Sequence, residues 1–595
     1  MLELIAQNLA PIMFLALIGF LLLGYPVAFS LAAVGLMFFV VGVELAPYSN
    51  GAINLSWPLL GTLPERIYGV MANDTLLAIP FFAFMGLILE RSGMAEDLLE
   101  TVGQLFGTVR GGLAYAVIFV GALLAATTGV VAASVISMGL ISLPIMLRYG
   151  YDARFATGTI AASGTLAQII PPSLVLIVLA DQLGRSVGDM YTGAMLPGLM
   201  LAGLYAVFAF IVSTIWPKAA PGLPPEAIIH REPDGSRGYR SLVVLVAVCG
   251  SAAWFLMRDS ERSGPDFVIL TVTLAICIAI AIAGANWIFK RSGGPRLLSV
   301  LAEQVVFVMV PPLLLIFLVL GTIFIGVATP TEGGAMGAVG AMLLALGKRL
   351  SEANKARFSY EIGRSAAQAT AKLSAFVMFI LIGARIFSLT FYGVNGHLWV
   401  EHLLVSLPGG EVGFLIFVNV LVFFLAFFLD FFELAFIIVP LLAPAAQALG
   451  IDLIWFGVIL AVNMQTSFMH PPFGFALFYL RSVAPRVPYN DKVTGRTMPP
   501  VTSGQIYWGA VPYVIIQLIM VALLIAFPRL VRHDPLPTAQ PRPAAGSPAN
   551  LPVFKHEGFA LPPYPPAIPG APPPETTGPG APTLDMSVPP TIVKP

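Results

Sequence analysis

Residues 162–178 read ASGTLAQIIPPSLVLIV, and 300 positions later residues 462–478 read VNMQTSFMHPPFGFALF. Both are apolar enough for a membrane helix, yet each carries a polar-bearing cluster ahead of two adjacent prolines. The clusters are Ser163-Gly164-Thr165 before Pro171-Pro172, and Asn463-Met464-Gln465-Thr466 before Pro471-Pro472. Proline removes an amide donor and clashes with the preceding turn, while glycine permits tight backbone conformations. Lipid offers no water to the freed backbone groups, so such a break is tolerated only where it is buried in protein or lines a water-filled cavity.

The rest of the chain agrees with a membrane setting. Of 595 residues, 57% are hydrophobic and 10% charged, far from the balance of soluble domains. A bilayer needs roughly 20 apolar residues per helix. On that ruler spans are predicted near 10–24, 26–43, 76–92, 155–180, 191–216, 241–257, 266–289, 304–328, 332–347, 373–394, 453–480 and 505–528, about twelve transmembrane helices. Stretches 113–147 and 412–447 are too long for one helix and have polar or glycine-bearing centres, ATTGVVAAS and FFLDFFELA, which predicts two re-entrant hairpins, with two plain short spans as the alternative for each. With the N-terminus outside, the predicted inner loops hold about two-thirds of all Lys and Arg. The N-terminal stretch has no positive n-region or cleavage site and is expected to be retained as a span. Cys249 and Cys277 both lie in apolar runs and cannot build a disulfide framework or a zinc site. Zero net charge without basic blocks argues against nucleic acid as a partner. Residues 534–595 are rich in Pro, Ala and Gly and are expected to remain a solvated, disordered tail.

Sliding the sequence over itself by 300 residues aligns Pro144 with Pro444, Gly150 with Gly450, Asp152 with Asp452 and Ala161 with Ala461, besides the double prolines. LIGFLLLGYPVAFSLAAVG is likewise echoed by FLVLGTIFIGVATPTEGGAMGAVG. The chain is therefore read as two copies of one unit, 10–216 and 304–528, joined by an insert at 217–303 that holds two extra transmembrane helices. An odd number of crossings separates the two starts, so the copies are inverted, an architecture of secondary transporters. There, broken helices present carbonyls and half-helix dipoles to a cation and an anionic substrate group at mid-membrane.

ASGTLAQIIPPS, ATPTEGGAMGAV, PFFAFMGLILERSGMAEDL, GIDLIWFGVILAVN and HPPFGFALF together resemble the large membrane subunit of TRAP transporters, the tripartite ATP-independent periplasmic carriers. The resemblance covers both copies. It implies a bacterial inner-membrane, sodium-driven importer of small organic acids with an elevator mechanism and no cofactor beyond the coupling ion. It also implies a small four-helix membrane subunit and a periplasmic substrate-binding protein as partners. The ion and substrate site is expected at Thr127, Thr128, Gly129, Val130, Ser163, Gly164, Thr165, Leu429, Asp430, Asn463, Met464, Gln465 and Thr466, with sodium at Thr128, Gly129, Gly164, Asp430 and Gln465. The first hairpin tip, Thr127-Thr128-Gly129-Val130, has fewer hydroxyls than the serine-rich stretch usual in the family. The second, Leu429-Asp430-Phe431-Phe432-Glu433, resembles the longer branch often labelled for mannitol or chloroaromatic compounds.

Ionisable groups inside membrane segments are functional candidates by default. Asp430 could offset a cation or cap the hairpin's inner turn. Glu332, at a helix start, is expected to be structural. Arg385 could reach an anionic substrate or pair with an acid, and an ion pair is expected; His470 could shuttle protons but is expected as a hydrogen-bonded spacer, and Asp152 and Asp452 as N-caps. A self-contained anion carrier is the alternative within the same superfamily. An intramembrane enzyme is disfavoured, because no paired aspartates, Gly-x-Ser-x-Gly elbow or His-Glu-x-x-His helix occurs. A channel fits hairpins sealed at opposite faces less well than alternating access does.

Overall fold

A computed structural model describes residues 2–531 except 129–130, 228–237, 261–264, 294–297, 353, 355–356, 472–473 and 492; the tail expected at 534–595 lies outside the described residues. The fold is all-α. In chain order the first copy contains α1 (Leu2–Gln7), α2 (Leu9–Leu22), α3 (Val27–Leu45), α4 (Trp57–Leu60), α5 (Leu63–Met71), α6 (Asp74–Arg91), α7 (Met94–Phe106), α8 (Gly112–Thr128), α9 (Val131–Arg148), α10 (Ala153–Thr165), α11 (Leu174–Gln182) and α12 (Val187–Ile215). The insert contributes α13 (Tyr239–Met257) and α14 (Pro265–Arg291). The second copy follows with α15 (Val300–Phe324), α16 (Pro330–Ser351), α17 (Tyr360–Gly393), α18 (Gly396–Val405), α19 (Gly410–Leu425), α20 (Phe431–Glu433), α21 (Val439–Ala448), α22 (Leu453–Met464), α23 (Phe475–Val483) and α24 (Ser503–Ala526).

The residues that the two copies share shape matching turns. Gly150 and Gly450 sit at φ +85° and +76°, a left-handed conformation that side chains disfavour, and each is followed by an Asp N-cap. Asp152 Oδ1 accepts from the Arg154 and Phe155 amides, and Asp452 Oδ1 from the Trp455 amide. Thr329 and Glu332 form a reciprocal capping box at the start of α16, so Glu332 has the structural role its position predicts.

Packing follows the same exchange. The two most extensive contacts between helices are α6 on α16 and α3 on α17, one interaction seen from either copy. Their counterparts nearer the breaks are α10 on α24 and α12 on α22. Hairpin 1 (α8, α9) packs on α10, and hairpin 2 (α19–α21) packs on α22. Arg148 at the end of hairpin 1 pairs with Asp491 in the α23–α24 loop at 2.7 Å, and that hydrogen bond holds the Asp491 carboxyl well below the usual range.

Among the described residues eight helices are long and apolar enough to cross a membrane, or ten when two bent pairs each count as one span, against about twelve expected. Part of the shortfall lies in short pieces, since α2 has 14 residues and the interrupted helices are built from 13 and 9 and from 12 and 9; α16, expected as a span, has 22 residues but is not among the eight, whereas Phe431–Ala448, expected as a hairpin arm, is. Three corrections concern segments expected as loops. The predicted loop 92–112 contains α7, the stretch after 394 contains α18, and α17 begins at Tyr360 rather than near 373. Its first turns are Ala-rich and polar, so helix propensity carries it beyond the apolar run.

Candidate functional site

Each broken helix unwinds before its prolines rather than at them. α10 ends at Thr165, tightens into a 3-10 turn over Leu166–Gln168, and the prolines lie in the extended link to α11. α22 ends at Met464 and tightens over Gln465–Phe468; Pro471 follows in a turn, and Pro472 lies outside the described residues. Ser173 accepts from the Leu176 amide and restarts the first helix, while its hydroxyl donates to Gln168 O at 2.6 Å.

The two breaks touch. Gln465 Nε2 donates to Thr165 O at 2.7 Å and lies 3.2 Å from Thr165 Oγ1. Residues 165 and 465 are equivalent positions of the two copies, so this bond joins a residue to its own counterpart, as contacts near a two-fold axis do. Asn463 Nδ2 donates to Asn419 O at 2.7 Å and to Asn419 Oδ1 at 2.9 Å, tying the second break to hairpin 2. Ser163 lies against hairpin 1, where a methyl at Gly121 would come 2.6 Å from its Cβ. Thr165 spends its hydroxyl locally, donating to Ala162 O, as Thr466 does to Asn463 O.

Four buried oxygens in this region have no protein partner: Ser163 Oγ, Gln168 Oε1, Asn463 Oδ1 and Gln465 Oε1. Oxygen-only donor sets suit hard cations, and orphaned buried acceptors call for an occupant. Gln168 is an addition to the residues expected from sequence. Ser163, Gly164, Thr165, Asn463, Met464, Gln465 and Thr466 are all buried here. Gly129 and Val130 lie outside the described residues, and Thr127 and Thr128 close α8.

A cavity of about 460 Å³ lies beside the breaks. Both hairpins reach it, through Val131 and Ala132 and through Asp430 and Phe432, and so do Gln168 and Tyr479 from the two interrupted helices. Its remaining wall is α17, with Lys372, Leu373 and Phe376. Asp430 lines this cavity and caps α20 in a reciprocal box with Glu433, the capping role that was one of its two sequence readings. Leu429 is buried behind it. His470 is a spacer, but an aromatic one: it stacks on Phe427 at 4.0 Å and meets Phe423 edge-on at 4.5 Å, which pins the tip of hairpin 2 to the second break. Arg385 corrects an expectation, because no described carboxylate lies within ion-pair distance of it. Among the described residues no three His, Cys, Asp or Glu cluster as metal ligands.

The sequence model of the tripartite ATP-independent periplasmic transporter DctM component matches residues 14–530. The chain belongs to this family. It is a DctM-type large permease, a multi-pass protein of the bacterial inner membrane. Among its relatives is the C4-dicarboxylate TRAP transporter large permease protein DctM of Vibrio cholerae, 26% identical over 80% of this chain and 89% of that protein. The protein of that name from Pseudomonas aeruginosa is 28% identical over 71% and 80%. The sialic acid TRAP transporter large permease protein SiaM of Vibrio cholerae is 23% identical over 86% and 95%. The crystal structure of the Alcanivorax borkumensis YdaH transporter aligns at a TM-score of 0.44 with 16% identity, over 79% of this chain and 88% of that one.

Proposed function

We propose that this large permease carries small organic anions inward with sodium, and that the cavity between the hairpin tips, the two breaks and Lys372 is its transport site. The carrying observation is the convergence of both inverted copies on one cavity lined by the cationic Lys372 and by Gln168, whose Oε1 is one of the orphaned oxygens of the breaks. The oxygens suit the ion and Lys372 suits the anion. Relatives named for C4-dicarboxylates and sialic acid support the substrate class. The voltage term is adequate: each charge moved through 100 mV supplies about 2.3 kcal/mol, so two cations with one monoanion are driven inward.

The packing supports an elevator. The hairpins and interrupted helices are bonded to one another, while the most extensive contacts of α3, α6, α16 and α17 are among themselves, with α6 also packing on α8 and α11. Beyond Phe376 the wall closes on buried Val377 and Ile380 of α17, Ile177 and Val178 of α11, and Leu434 and Ala435 of hairpin 2. In the alternating-access reading these residues close the cavity toward the C-terminal end of α17. By the Lys and Arg distribution that end faces outward. We also place a small membrane subunit and a periplasmic binding protein in the working complex; a relative is named as an isethionate permease protein DctMQ.

The test is uptake of labelled C4-dicarboxylate and sialic acid into vesicles holding the full chain with its small subunit and binding protein. Uptake should require an inward sodium gradient, and neither potassium nor a pH gradient should replace it. Asp430→Asn keeps the cap's hydrogen-bonding shape but removes the charge, and should raise the sodium concentration for half-maximal uptake about tenfold, or about 1.4 kcal/mol. An unaltered sodium response takes Asp430 out of the ion site. Lys372→Gln should raise the half-saturating substrate concentration about tenfold and leave the sodium dependence alone; equal apparent affinity would move the anion elsewhere.

A further inference from the structure

A second cavity, about 720 Å³, lies at the other end of α17. Three elements run from the transport cavity to it: α17, from Phe376 to Arg385; α11, from Val175 to Asp181; and the return arm of hairpin 2, from Phe432 to Pro440. Lys372 and Arg385 are 13 residues apart, about 20 Å along the helix axis. Between the two sets of lining residues each element carries buried side chains, Val377 and Ile380 on α17, Ile177 on α11 and Leu434 on hairpin 2, which form the proposed sealed layer.

Two guanidiniums face this second cavity. Arg385, Ser388, Leu389 and Tyr392 share one face of α17 at i, i+3, i+4 and i+7, and Arg66 reaches in from α5. Among the described residues neither arginine has a carboxylate within ion-pair distance. Arg66 donates from Nε to Thr62 Oγ1 at 3.2 Å, which leaves its terminal nitrogens for other acceptors. The acid on the wall, Asp181, already accepts from Asn73 Nδ2 at 2.6 Å and from Gln182 Nε2 at 2.7 Å. An arginine in a membrane helix is costly and normally finds a partner, and its planar fork matches a carboxylate bidentately.

We propose that this cavity is a second anion-binding site, a vestibule in which the carboxylate of an organic anion rests on Arg385, with Arg66 beside it, before the sealed layer opens. Its role as a vestibule rests on the reading of the first cavity as the transport site. Its affinity for anions does not.

The experiment therefore measures anion attraction without transport. In the full chain carrying Cys249→Ser and Cys277→Ala, Ser388→Cys places a thiol one turn from Arg385. Its modification by the anionic sulfonatoethyl and the cationic trimethylammonioethyl methanethiosulfonates is timed, each rate being divided by that with a free thiol. The anionic reagent is expected to lead by at least about tenfold, excess succinate to slow it, and Arg385→Gln to bring the two rates together. Gln447→Cys, on the opposite wall, gives the same reading if the first thiol variant folds poorly. Equal rates, no labelling at either position, or a preference that survives loss of both arginines would overturn the proposal. A preference seen in phosphatidylcholine vesicles and lost when phosphatidylglycerol is added would assign the arginines to a lipid headgroup and overturn it as well. If carboxylate uptake fails while the labelling holds, it is the transport reading that falls.

Discussion

Gln465→Leu is expected to reduce uptake at least 100-fold while the protein still purifies as a folded species. The side chain does two things that leucine cannot. Its Nε2 donates across the junction of the copies to Thr165 O at 2.7 Å, and its Oε1 is one of the orphaned oxygens beside the cavity. Losing the donor removes one of two bonds to a buried carbonyl that the 3-10 turn also engages, a net cost of about 0.5–1.5 kcal/mol, within the margin of a fold stable by about 5–15 kcal/mol. Losing the oxygen removes one of the four orphaned acceptors proposed to hold the cation. Gln465→Glu separates the two effects, since it keeps an oxygen and loses the donor, and it should recover part of the sodium-dependent rate. Uptake at the parental rate by the leucine variant, with an unchanged melting profile, would place the ion site elsewhere.

The breaks are legible because three kinds of residue coincide there. Small and polar residues end the helix, prolines prevent its continuation, and a capping position restarts it at Ser173 or Gly474. The double proline alone is not the signal. Pro311 and Pro312 lie inside α15, which stays helical from Val300 to Phe324. The residues around that pair are apolar throughout, with no hydroxyl or carboxylate next to them to cap a new start, so continuing the helix satisfies more backbone groups than breaking it. A rule based on proline alone would split α15.

What escapes the sequence reading escapes for two physical reasons. α7 reads as a loop because a hydropathy ruler looks for apolar runs, and this helix carries Glu96, Asp97 and Glu100. Its signal is periodic instead: Met94, Ala95, Leu98, Leu99 and Val102 are buried at helical spacing. On its polar face Asp97 pairs with Lys348 and, at 3.1 Å, with Arg357, so the helix is held by charges that hydropathy counts against it. Lys372 and Gln168 escape for the second reason. Each looks ordinary in its own segment, a basic residue near an inner loop and an amide after a break. Only the folding of α17 against both hairpins brings them to one cavity.

Gly158→Leu is expected to leave no monodisperse protein, the largest effect on folding among these substitutions. α10 and α24 cross here backbone to backbone: a Cβ at Gly158 would meet the Gly509 carbonyl, with the carbonyl carbon 2.6 Å away. Overpacking usually costs about 1–3 kcal/mol because side chains shift to other rotamers. Here the obstructing atoms are main chain, so the two helices themselves must part. Parting them would also break the 2.6 Å hydrogen bond between Thr159 Oγ1 and Tyr513 Oη. Small residues that let helices approach are what holds membrane helices together, since lipid supplies no hydrophobic drive between them. The crossing also joins the first copy's break to a helix of the second copy, and in the proposed elevator it would make the two breaks travel as one body. Gly284→Leu is the control, an equal change at a glycine of α14 with nothing within 4 Å of the added Cβ. It should express and elute like the parent. If Gly158→Leu behaves the same way and still transports, the α10–α24 crossing is not what unites the moving block.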